Sequence, residues 1–496
     1  MSNKKYILAI DQGTSSTKTL IFDETGQAVA KGSEDLHTHY LDNGFVEQDP
    51  KDIYQNVLSS LKKCLLQFAE KGFDKSEIAA IGISNQRETF VLWDKDGKPL
   101  HNAIVWQCKR SVHICEQLKQ TDLSSTVNQK TGLVIDPYFS ATKLIWLFQN
   151  NETIKQAIQS GNAFFGTIDT WLLYKLTNGK EYATDHTNAS RTLLFNLNNL
   201  QWDAELIERF KLTGINLPEI RSSSAVFGET DCNGLFERTI PVHALIGDSH
   251  AAAFGEGCFE TGTAKATLGT GCSILMNIGN EPVQSQHGMV TTICWSTESR
   301  IDYALEGVIV SCGATIEWLK NELNLFTDSK ETAGMANAVA DNGGVYLVPA
   351  FSGLGSPHWD MERKASITGV SFGTTKDHIV RAALESIPYQ VKDVVVAMEK
   401  DAGVSLKELN ANGGITSNGF VMQLLSDLLQ KNVTSIGMPD VSALGAAYMA
   451  GLKSGVYESI EQIKKLNAGK NSYSPIDDNE KVNEEYLGWQ KAISNK

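Results

Sequence analysis

Residues 6–23 read YILAIDQGTSSTKTLIFD, and this stretch decides the fold. An apolar run, residues 6–10, precedes a polar segment, residues 11–16, and a second apolar run follows at residues 20–22. Two strand-forming runs separated by a glycine-containing turn predict a β-hairpin.

The turn of this hairpin has the composition of a phosphate-binding loop. Gly13 lets a ligand approach the backbone, and Thr14, Ser15 and Ser16 add hydroxyl groups to the amide donors. Asp11 ends the first strand, where a carboxylate can hold Mg2+ directly or through water. An ordinary hairpin turn has the same composition, so this stretch alone leaves both interpretations open.

A second copy of the pattern favours phosphate binding. Residues 265–277, KATLGTGCSILMN, again place a glycine-containing turn, residues 269–271, between two strand-like runs. Two such hairpins, one early and one past the middle of the chain, indicate a duplicated architecture with a nucleotide between the halves.

The overall composition is that of a globular protein. The chain has 496 residues, enough for two large domains, with 42% hydrophobic and 21% charged residues. A net charge of −14 argues against a general nucleic-acid or anionic-membrane surface. The eight cysteines are scattered without a CxxC pair, which favours reduced thiols over disulfides or zinc. With no signal peptide or membrane-length apolar run, we expect a cytoplasmic protein without membrane insertion.

Polar residues follow a buried-strand pattern at residues 78–83. The next segment contains Arg87 and Glu88, and a guanidinium beside a carboxylate can bind adjacent hydroxyl groups as donor and acceptor. A surface salt bridge explains the same pair equally simply. Trp106, near the end of a predicted strand over residues 103–108, can wall a ligand site or fill the core.

A carboxylate also ends the strand predicted within residues 241–247. Asp248 is placed there like a catalytic base, although an N-cap of the helix that follows would also be an Asp. His250 is an alternative base. Further on, Pro388 interrupts a long helical pattern and predicts a kink or a break.

Several motifs together resemble a known family. DQGTSSTK at 11–18 and LGTG at 268–271 resemble the phosphate loops of the superfamily of actin, chaperone ATPases and sugar kinases. Residues 138–147 and 365–385 fit the two signatures of the FGGY carbohydrate kinases. The resemblance extends over essentially the whole chain and, within the family, is closest to the glycerol kinases, whose NQRET motif matches residues 85–89.

The resemblance implies a fold and an activity. The expected fold is α/β, with two actin-like (ribonuclease H-like) ATPase domains of mixed sheets around a central cleft, at residues 1–255 and 256–496. The expected activity is ATP- and Mg2+-dependent phosphorylation of a primary hydroxyl of a small polyol, with glycerol as the leading substrate. A homodimer or a homotetramer remains open.

Roles for individual residues also follow from the resemblance. Asp248 is the expected base. The residues expected to contact the polyol are Arg87, Glu88, Trp106, Tyr138, Asp248, Ser249 and Ser273. The residues expected to contact the nucleotide are Thr14, Ser15, Ser16, Lys18, Gly269, Thr270, Gly313, Glu317, Gly414 and Asn418, with Asp11 at the metal.

Four of these positions depart from the family pattern. Lys18 stands where the family has Arg, and Glu317 stands where it has Gln. Ser249 and Ser273 replace a Gln and a Phe that contact the polyol. Two small hydroxyl side chains leave a longer polyol or a ketose as an alternative substrate. A non-catalytic actin-like ATPase module is a second alternative, which the polyol residues and Asp248 argue against.

Overall fold

The computed structural model describes residues 5–435, 437–467, 471–476 and 480–494. Residues 1–4, 436, 468–470, 477–479 and 495–496 of the two predicted domains lie outside the described residues.

Strands occur in every part of the described chain. In order they are β1 Tyr6–Gln12, β2 Ser16–Phe22, β3 Ala28–Asp35, β4 His39–Tyr40, β5 Val46–Gln48, β6 Ile78–Asn85, β7 Phe90–Trp93, β8 Ala103–Ile104, β9 Phe164–Thr167, β10 Ala183–Asp185, β11 Phe195–Asn196, β12 Gln201–Trp202, β13 Glu219–Arg221, β14 Glu229–Thr230, β15 Ile240–Gly247, β16 Thr263–Leu268, β17 Cys272–Gly279, β18 Val290–Ser296, β19 Ile301–Ile309, β20 Tyr346–Val348, β21 Ser366–Thr368, β22 Glu408–Asn412, β23 Asn432–Ser435 and β24 Asn471–Tyr473.

Helices lie between and after these strands. In order they are α1 Pro50–Glu70, α2 Val112–Lys119, α3 Leu123–Thr131, α4 Ser140–Asn150, α5 Glu152–Gln159, α6 Ile168–Leu176, α7 His186–Ala189, α8 Ala204–Arg209, α9 Asp248–Glu256, α10 Gly313–Asn321, α11 Thr332–Asn337, α12 Lys376–Ala402, α13 Gly419–Leu429, α14 Val441–Ser454, α15 Ile460–Leu466 and α16 Glu480–Ser494. Short 3₁₀ helices occupy Asp42–Gly44, Lys75–Glu77, Ser329–Glu331 and Gly414–Ser417.

The two largest sheets repeat one plan. The first has the order β14-β15-β6-β1-β2-β3, and the second has the order β18-β19-β17-β16-β22-β23-β24. In each, an antiparallel hairpin, β1–β2 or β16–β17, is flanked on its first strand by a parallel strand, β6 or β22. The duplication inferred from the two hairpin motifs is therefore present in the strand order.

The hairpin registers set the positions of the polar turns. Asp11 lies opposite Lys18 at the end of the first hairpin, and Thr267 lies opposite Ser273 near the end of the second. The Gly13 amide donates to the carbonyl of Ser16 and closes the first turn at 3.0 Å. Because parallel neighbours end at the same edge of a sheet, the polar residues after β6 lie beside the first turn.

A helix from late in the chain covers one face of the first sheet. The α14 sequence is rich in Gly and Ala, and α14 packs against α9 and against β1, β6 and β15. The approach is close, because a Cβ on Gly82 of β6 would lie 2.2 Å from the carbonyl oxygen of Ala446. The other face is covered by α1, whose N-cap Asp49 accepts a hydrogen bond from the Lys51 amide, and by α6.

The strand predicted over residues 103–108 is wrong in its end point, and the break considered at Pro388 does not occur. The strand expected over 103–108 ends at Ile104, because the Trp106 amide donates to the Thr89 hydroxyl and the Cys108 amide closes a turn onto Val105. The helix containing Pro388 continues from Lys376 to Ala402, with buried residues on both sides of the proline.

All eight cysteines are free and buried. Among the described helices, none has the length and apolarity to cross a membrane.

We predict that Gly445→Ala destabilises the protein at the α9–α14 contact. A Cβ at Gly445 would lie 1.8 Å from the carbonyl oxygen of Ala251, so the helices must separate. Overpacking of this kind costs about 1–3 kcal/mol, measured as the free energy of unfolding in a urea titration. Gly334→Ala in α11 is the matched control, because a Cβ there meets no atom within 4 Å. Equal stability of the two variants would contradict the close packing.

Candidate active site

A cavity of about 400 Å3 lies where the first sheet, the second sheet and α9 meet. Its lining combines all seven predicted polyol residues with part of the predicted phosphate and metal set. It is formed by Asp11, Thr14, Lys18, Arg87, Glu88, Trp106, Tyr138, Asp248, Ser249, Ala252, Lys265, Thr267, Ser273, Asn412, Pro439, Val441 and Ser442.

Arg87 and Glu88 lie in the tight turn that follows β6. Both side chains are buried, so the pair is not a surface salt bridge. Glu88 has a φ of 59°, in the left-handed region that a non-glycine residue seldom occupies. Backbone strain of this kind is concentrated at functional sites.

Arg87 and Glu88 belong to a buried charge network with Arg191 and Glu306. Arg87 Nη2 contacts Glu306 Oε1 at 2.9 Å, and Arg191 contacts Glu306 Oε2 at 2.7 Å and Glu88 Oε1 at 2.6 Å. All four side chains are at most 6% exposed. Arg87 Nη1 is buried and has no hydrogen-bond partner among the described residues.

The network keeps Glu306 ionised. Burial alone would raise the pKa of Glu306, but Arg191 and Arg87 hold it well below its ordinary range. Burial would likewise lower the pKa of Arg87, yet Glu306 and Glu88 raise it well above its ordinary value. Glu88 differs, because burial outweighs its arginine neighbours and raises its pKa.

Two aromatic rings form an apolar part of the lining. The rings of Trp106 and Tyr138 meet edge to face with centroids 5.5 Å apart. The Trp106 indole donates to the Thr14 hydroxyl at 2.9 Å, which ties the aromatic wall to the first hairpin turn. Trp106 therefore lines the cavity, rather than only filling the core.

Asp248 is the first residue of α9 and lies at the cavity. Its Oδ1 accepts from the Ser249 amide at 2.6 Å and lies 3.3 Å from Arg87 Nε, and the N-cap position is taken by Gly247. His250 is fully buried and is absent from the cavity lining. Burial, with Arg87 nearby, lowers the pKa of His250 well below its ordinary value. The geometry thus favours Asp248 over His250 as a base.

Ser249 and Ser273 lie side by side in the cavity wall. Their hydroxyl oxygens are 3.3 Å apart, and Ser273 also donates to Glu306 Oε1 at 3.3 Å. Lys265 Nζ donates to Ser249 Oγ at 2.6 Å and to Thr267 Oγ1 at 3.0 Å.

Asp11 and Lys18 line the cavity from the first hairpin. Asp11 accepts from the Ser84 hydroxyl at 3.0 Å, and burial followed by the charge of Asp248 raises its pKa to about 6. Lys18 pairs with Asp440 at 3.1 Å. The described residues contain no group of three His, Cys, Asp or Glu side chains that could hold a metal. A Mg2+ held by one carboxylate, water and phosphate oxygens needs no such group, so Asp11 fits that role.

The remaining residues of the first turn do not reach this cavity. Ser15 is exposed, and neither Ser15 nor Ser16 is part of the lining. Gly269, Thr270 and Gly313 also lie outside it.

The second hairpin turn instead contacts the start of α10. The Gly313 amide donates to the Gly269 carbonyl at 2.9 Å, and the Cys312 amide donates to Thr270 at 2.8 Å. A Cβ on Gly313 would lie 2.8 Å from the Gly269 oxygen, so this contact requires glycine.

A second cavity, of about 470 Å3, contains two further predicted nucleotide residues. Gly414 and Asn418 line it with side chains of α10, α11 and α12. Asn418 Oδ1 caps α13, while its Nδ2 donates to the Thr332 hydroxyl at 3.1 Å. Glu317 is exposed and absent from this lining, and its Oε1 accepts from the Ser329 hydroxyl at 3.4 Å.

Six polar or charged site residues were missed by the sequence analysis: Arg191, Lys265, Thr267, Glu306, Asn412 and Ser442. The sequence contains one feature by which the charged residues among them can be recognised. Arg191, Lys265 and Glu306 stand within otherwise apolar or small-residue segments, which is where a buried charge is unusual and needs a partner.

We predict that Glu306→Gln lowers the free energy of unfolding by about 3–5 kcal/mol, because it leaves two buried guanidinium groups with one carboxylate fewer. Since the folded-state pKa of Glu306 is depressed, its stabilising effect is present above its ordinary value of 4.5 and is lost as the pH falls. Urea titrations at pH 7 and pH 4 measure both effects.

Glu298→Gln is the matched control for this substitution. Glu298 pairs at 2.7 Å with Lys453 on an exposed surface, where such a pair contributes at most about 1 kcal/mol. A loss at Glu306 no larger than at Glu298 would refute the network's role.

Comparison with known proteins agrees with this geometry. Residues 6–255 match the N-terminal domain of the FGGY family of carbohydrate kinases. Residues 264–454 match the C-terminal domain of the same family. A glycerol kinase of Bacillus anthracis (strain A0248) is 44% identical over 491 residues, spanning 99% of this chain and 98% of that protein. A glycerol kinase of Bacillus cereus (strain AH187) has the same identity and coverage.

Solved structures give the same result. A Plasmodium falciparum glycerol kinase with ADP has a TM-score of 0.94 at 37% identity, covering 98% of this chain and 97% of that chain. A xylulose kinase from Lactobacillus acidophilus has a TM-score of 0.87 at 22% identity, covering 99% of each, and shows the likeness of fold alone. The predicted two-domain α/β fold with mixed sheets is confirmed, and the chain belongs to the FGGY family of carbohydrate kinases.

Proposed function

We propose that the protein transfers the γ-phosphoryl group of ATP to a primary hydroxyl of glycerol, giving glycerol 3-phosphate and ADP. The observation that carries the proposal is the single cavity in which Arg87, Glu88 and Asp248 meet Asp11 and Thr14. The names of the similar kinases from Bacillus and Plasmodium support glycerol as the acceptor.

Arg87, Glu88 and the aromatic pair bind and orient the acceptor. Arg87, which lines the cavity, donates to one hydroxyl oxygen, and the Glu88 carboxyl group accepts from or donates to the neighbouring hydroxyl group. Trp106 and Tyr138 contact the carbon chain and exclude water. Holding the hydroxyl in place supplies much of the catalysis in phosphoryl transfer.

Asp248 receives the proton of the attacking hydroxyl. The oxygen of that hydroxyl forms a bond to the γ-phosphorus while the bond from the γ-phosphorus to the β,γ-bridging oxygen breaks, and ADP leaves with the electron pair. Thr14, with the Trp106 indole fixing its hydroxyl, faces the phosphoryl oxygens, and Lys18 adds a positive charge. Asp11 would hold Mg2+, which neutralises phosphate charge when bound.

The adenosine end of the nucleotide is assigned to the second cavity. Gly414 presents bare backbone there, and Asn418 presents its amide. Gly269, Thr270 and Gly313, which contact one another through the backbone, carry the intervening phosphates. Glu317, exposed and outside the lining, has at most a peripheral role.

We predict that Asp248→Asn lowers kcat for glycerol by about 10²–10⁴-fold, because the amide cannot take the proton. ATP affinity should be preserved, since Asp248 is assigned to the acceptor hydroxyl and not to the nucleotide. A coupled assay of ADP release measures the rate, and calorimetry measures ATP binding. Near-normal turnover in the variant would exclude Asp248 as the base.

We also predict that acceptor and nucleotide together make the protein more compact. Phosphate-contacting residues on both hairpins must approach the same ATP molecule, which requires the two sheets to close around it. Small-angle scattering should show a smaller radius of gyration with glycerol and a non-hydrolysable ATP analogue than with either alone. An unchanged radius at saturation would contradict closure.

A further inference from the structure

One part of the cavity wall carries polar side chains that have no role in the glycerol binding proposed above. Lys265 lies on β16, Ser273 on β17 and Ser249 in the first turn of α9, and all three line the cavity. They are distinct from the Arg87, Glu88 and aromatic groups assigned above to the acceptor.

The hydrogen bonds of this wall are only partly satisfied. An ammonium group has three N–H donors, and those of Lys265 reach two hydroxyl oxygens, of Ser249 and Thr267. The contacts from Ser273 to Ser249 and to Glu306 are both 3.3 Å, long for hydroxyl hydrogen bonds, which are usually 2.7–2.8 Å. A ligand hydroxyl placed between these groups would therefore improve hydrogen bonds, instead of replacing good ones.

The charges around the wall select a neutral ligand group. Lys265 is buried, and burial together with Arg87 lowers its pKa, while Glu256 opposes that change. Glu306 and Asp248 bring negative charge close to the two serines. A carboxylate would be repelled by them, whereas a hydroxyl group can accept from Lys265 and donate to a serine oxygen.

We propose that Lys265, Ser249 and Ser273 form a subsite for a hydroxyl group that glycerol lacks, so that the acceptor class includes linear polyols of four carbons. This inference rests on the polyol phosphorylation proposed above. The small serine side chains leave room for the fourth carbon, and Lys265 with the two serines binds the hydroxyl on that carbon.

Three acceptors that differ by single groups test the subsite. Glycerol measures the basic activity, butane-1,2,3-triol adds the fourth carbon as a methyl group without a hydroxyl, and erythritol adds both the carbon and its hydroxyl. We expect the wild type to have a kcat/KM for erythritol at least about tenfold above that for butanetriol, because a site built for a hydroxyl discriminates against its absence. The difference should appear in KM, since the added hydroxyl does not react.

Substitutions in this part of the cavity wall test whether its side chains cause the preference for erythritol. Lys265→Met should abolish the preference for erythritol over butanetriol, and Ser249→Gln with Ser273→Phe should abolish use of both four-carbon acceptors by filling the space. Ser273→Ala removes one hydroxyl without adding volume and decides the question if the larger changes prevent folding, as judged by circular dichroism. Lys407→Met is the matched control, because Lys407 is exposed and pairs at 3.5 Å with Glu260.

The outcomes separate the two proposals. Turnover of glycerol with no preference for erythritol over butanetriol would overturn the subsite and leave the proposed function intact. An erythritol preference unaffected by Lys265→Met and Ser273→Ala would likewise overturn it. Absence of ADP release with all three acceptors would overturn the proposed function, and the subsite with it.

Discussion

Two guanidinium groups held between two carboxylates form the interaction on which the rest of the site depends. Arg87 comes from the end of β6, Arg191 from the segment after α7, and Glu306 from β19 of the second sheet. Burying four charges costs several kcal/mol per ion before their mutual attraction is counted, and apolar groups would often be as stable. We infer that the network persists because it holds Arg87 and Glu88 in fixed orientations at the cavity.

The same network links the acceptor site to the arrangement of the two sheets. Glu306 touches both arginines and also Ser273, so groups assigned to the acceptor on the first sheet are held by a side chain of the second. Asp248 is coupled to the same structure through Arg87 Nε. A movement of one sheet relative to the other must therefore change the surroundings of the acceptor, which suits an enzyme that acts when it is closed.

The sequence predicted the parts of this structure that depend on local pattern. Both hairpins follow from strand-forming runs around glycine-containing turns. Arg87 and Glu88 carried no decisive local signal, and only the family resemblance separated them from a surface ion pair.

What the sequence did not reveal depends on contacts between distant residues. Lys265 and Glu306 lie inside strands, and nothing local indicates that the strand order brings Lys265 to the cavity and Glu306 to the buried arginines. The continuation of α12 through Pro388 is likewise a tertiary effect, because core packing of Leu384 and Val391 outweighs the hydrogen bond that proline removes. Trp106 lies outside the strand predicted for it because its amide donates a hydrogen bond to the Thr89 hydroxyl.

The position of α14 has a consequence for synthesis on the ribosome. The face of the first sheet that carries Ile7, Ala9, Ala80 and Ala244 is buried by α14, which begins at Val441. A nascent chain that has completed this sheet at Gly247 must add roughly 200 more residues before the covering helix emerges, which takes on the order of tens of seconds at usual elongation rates. During that interval a wide apolar surface is open to solvent, and it is the natural target for a chaperone that binds translating ribosomes.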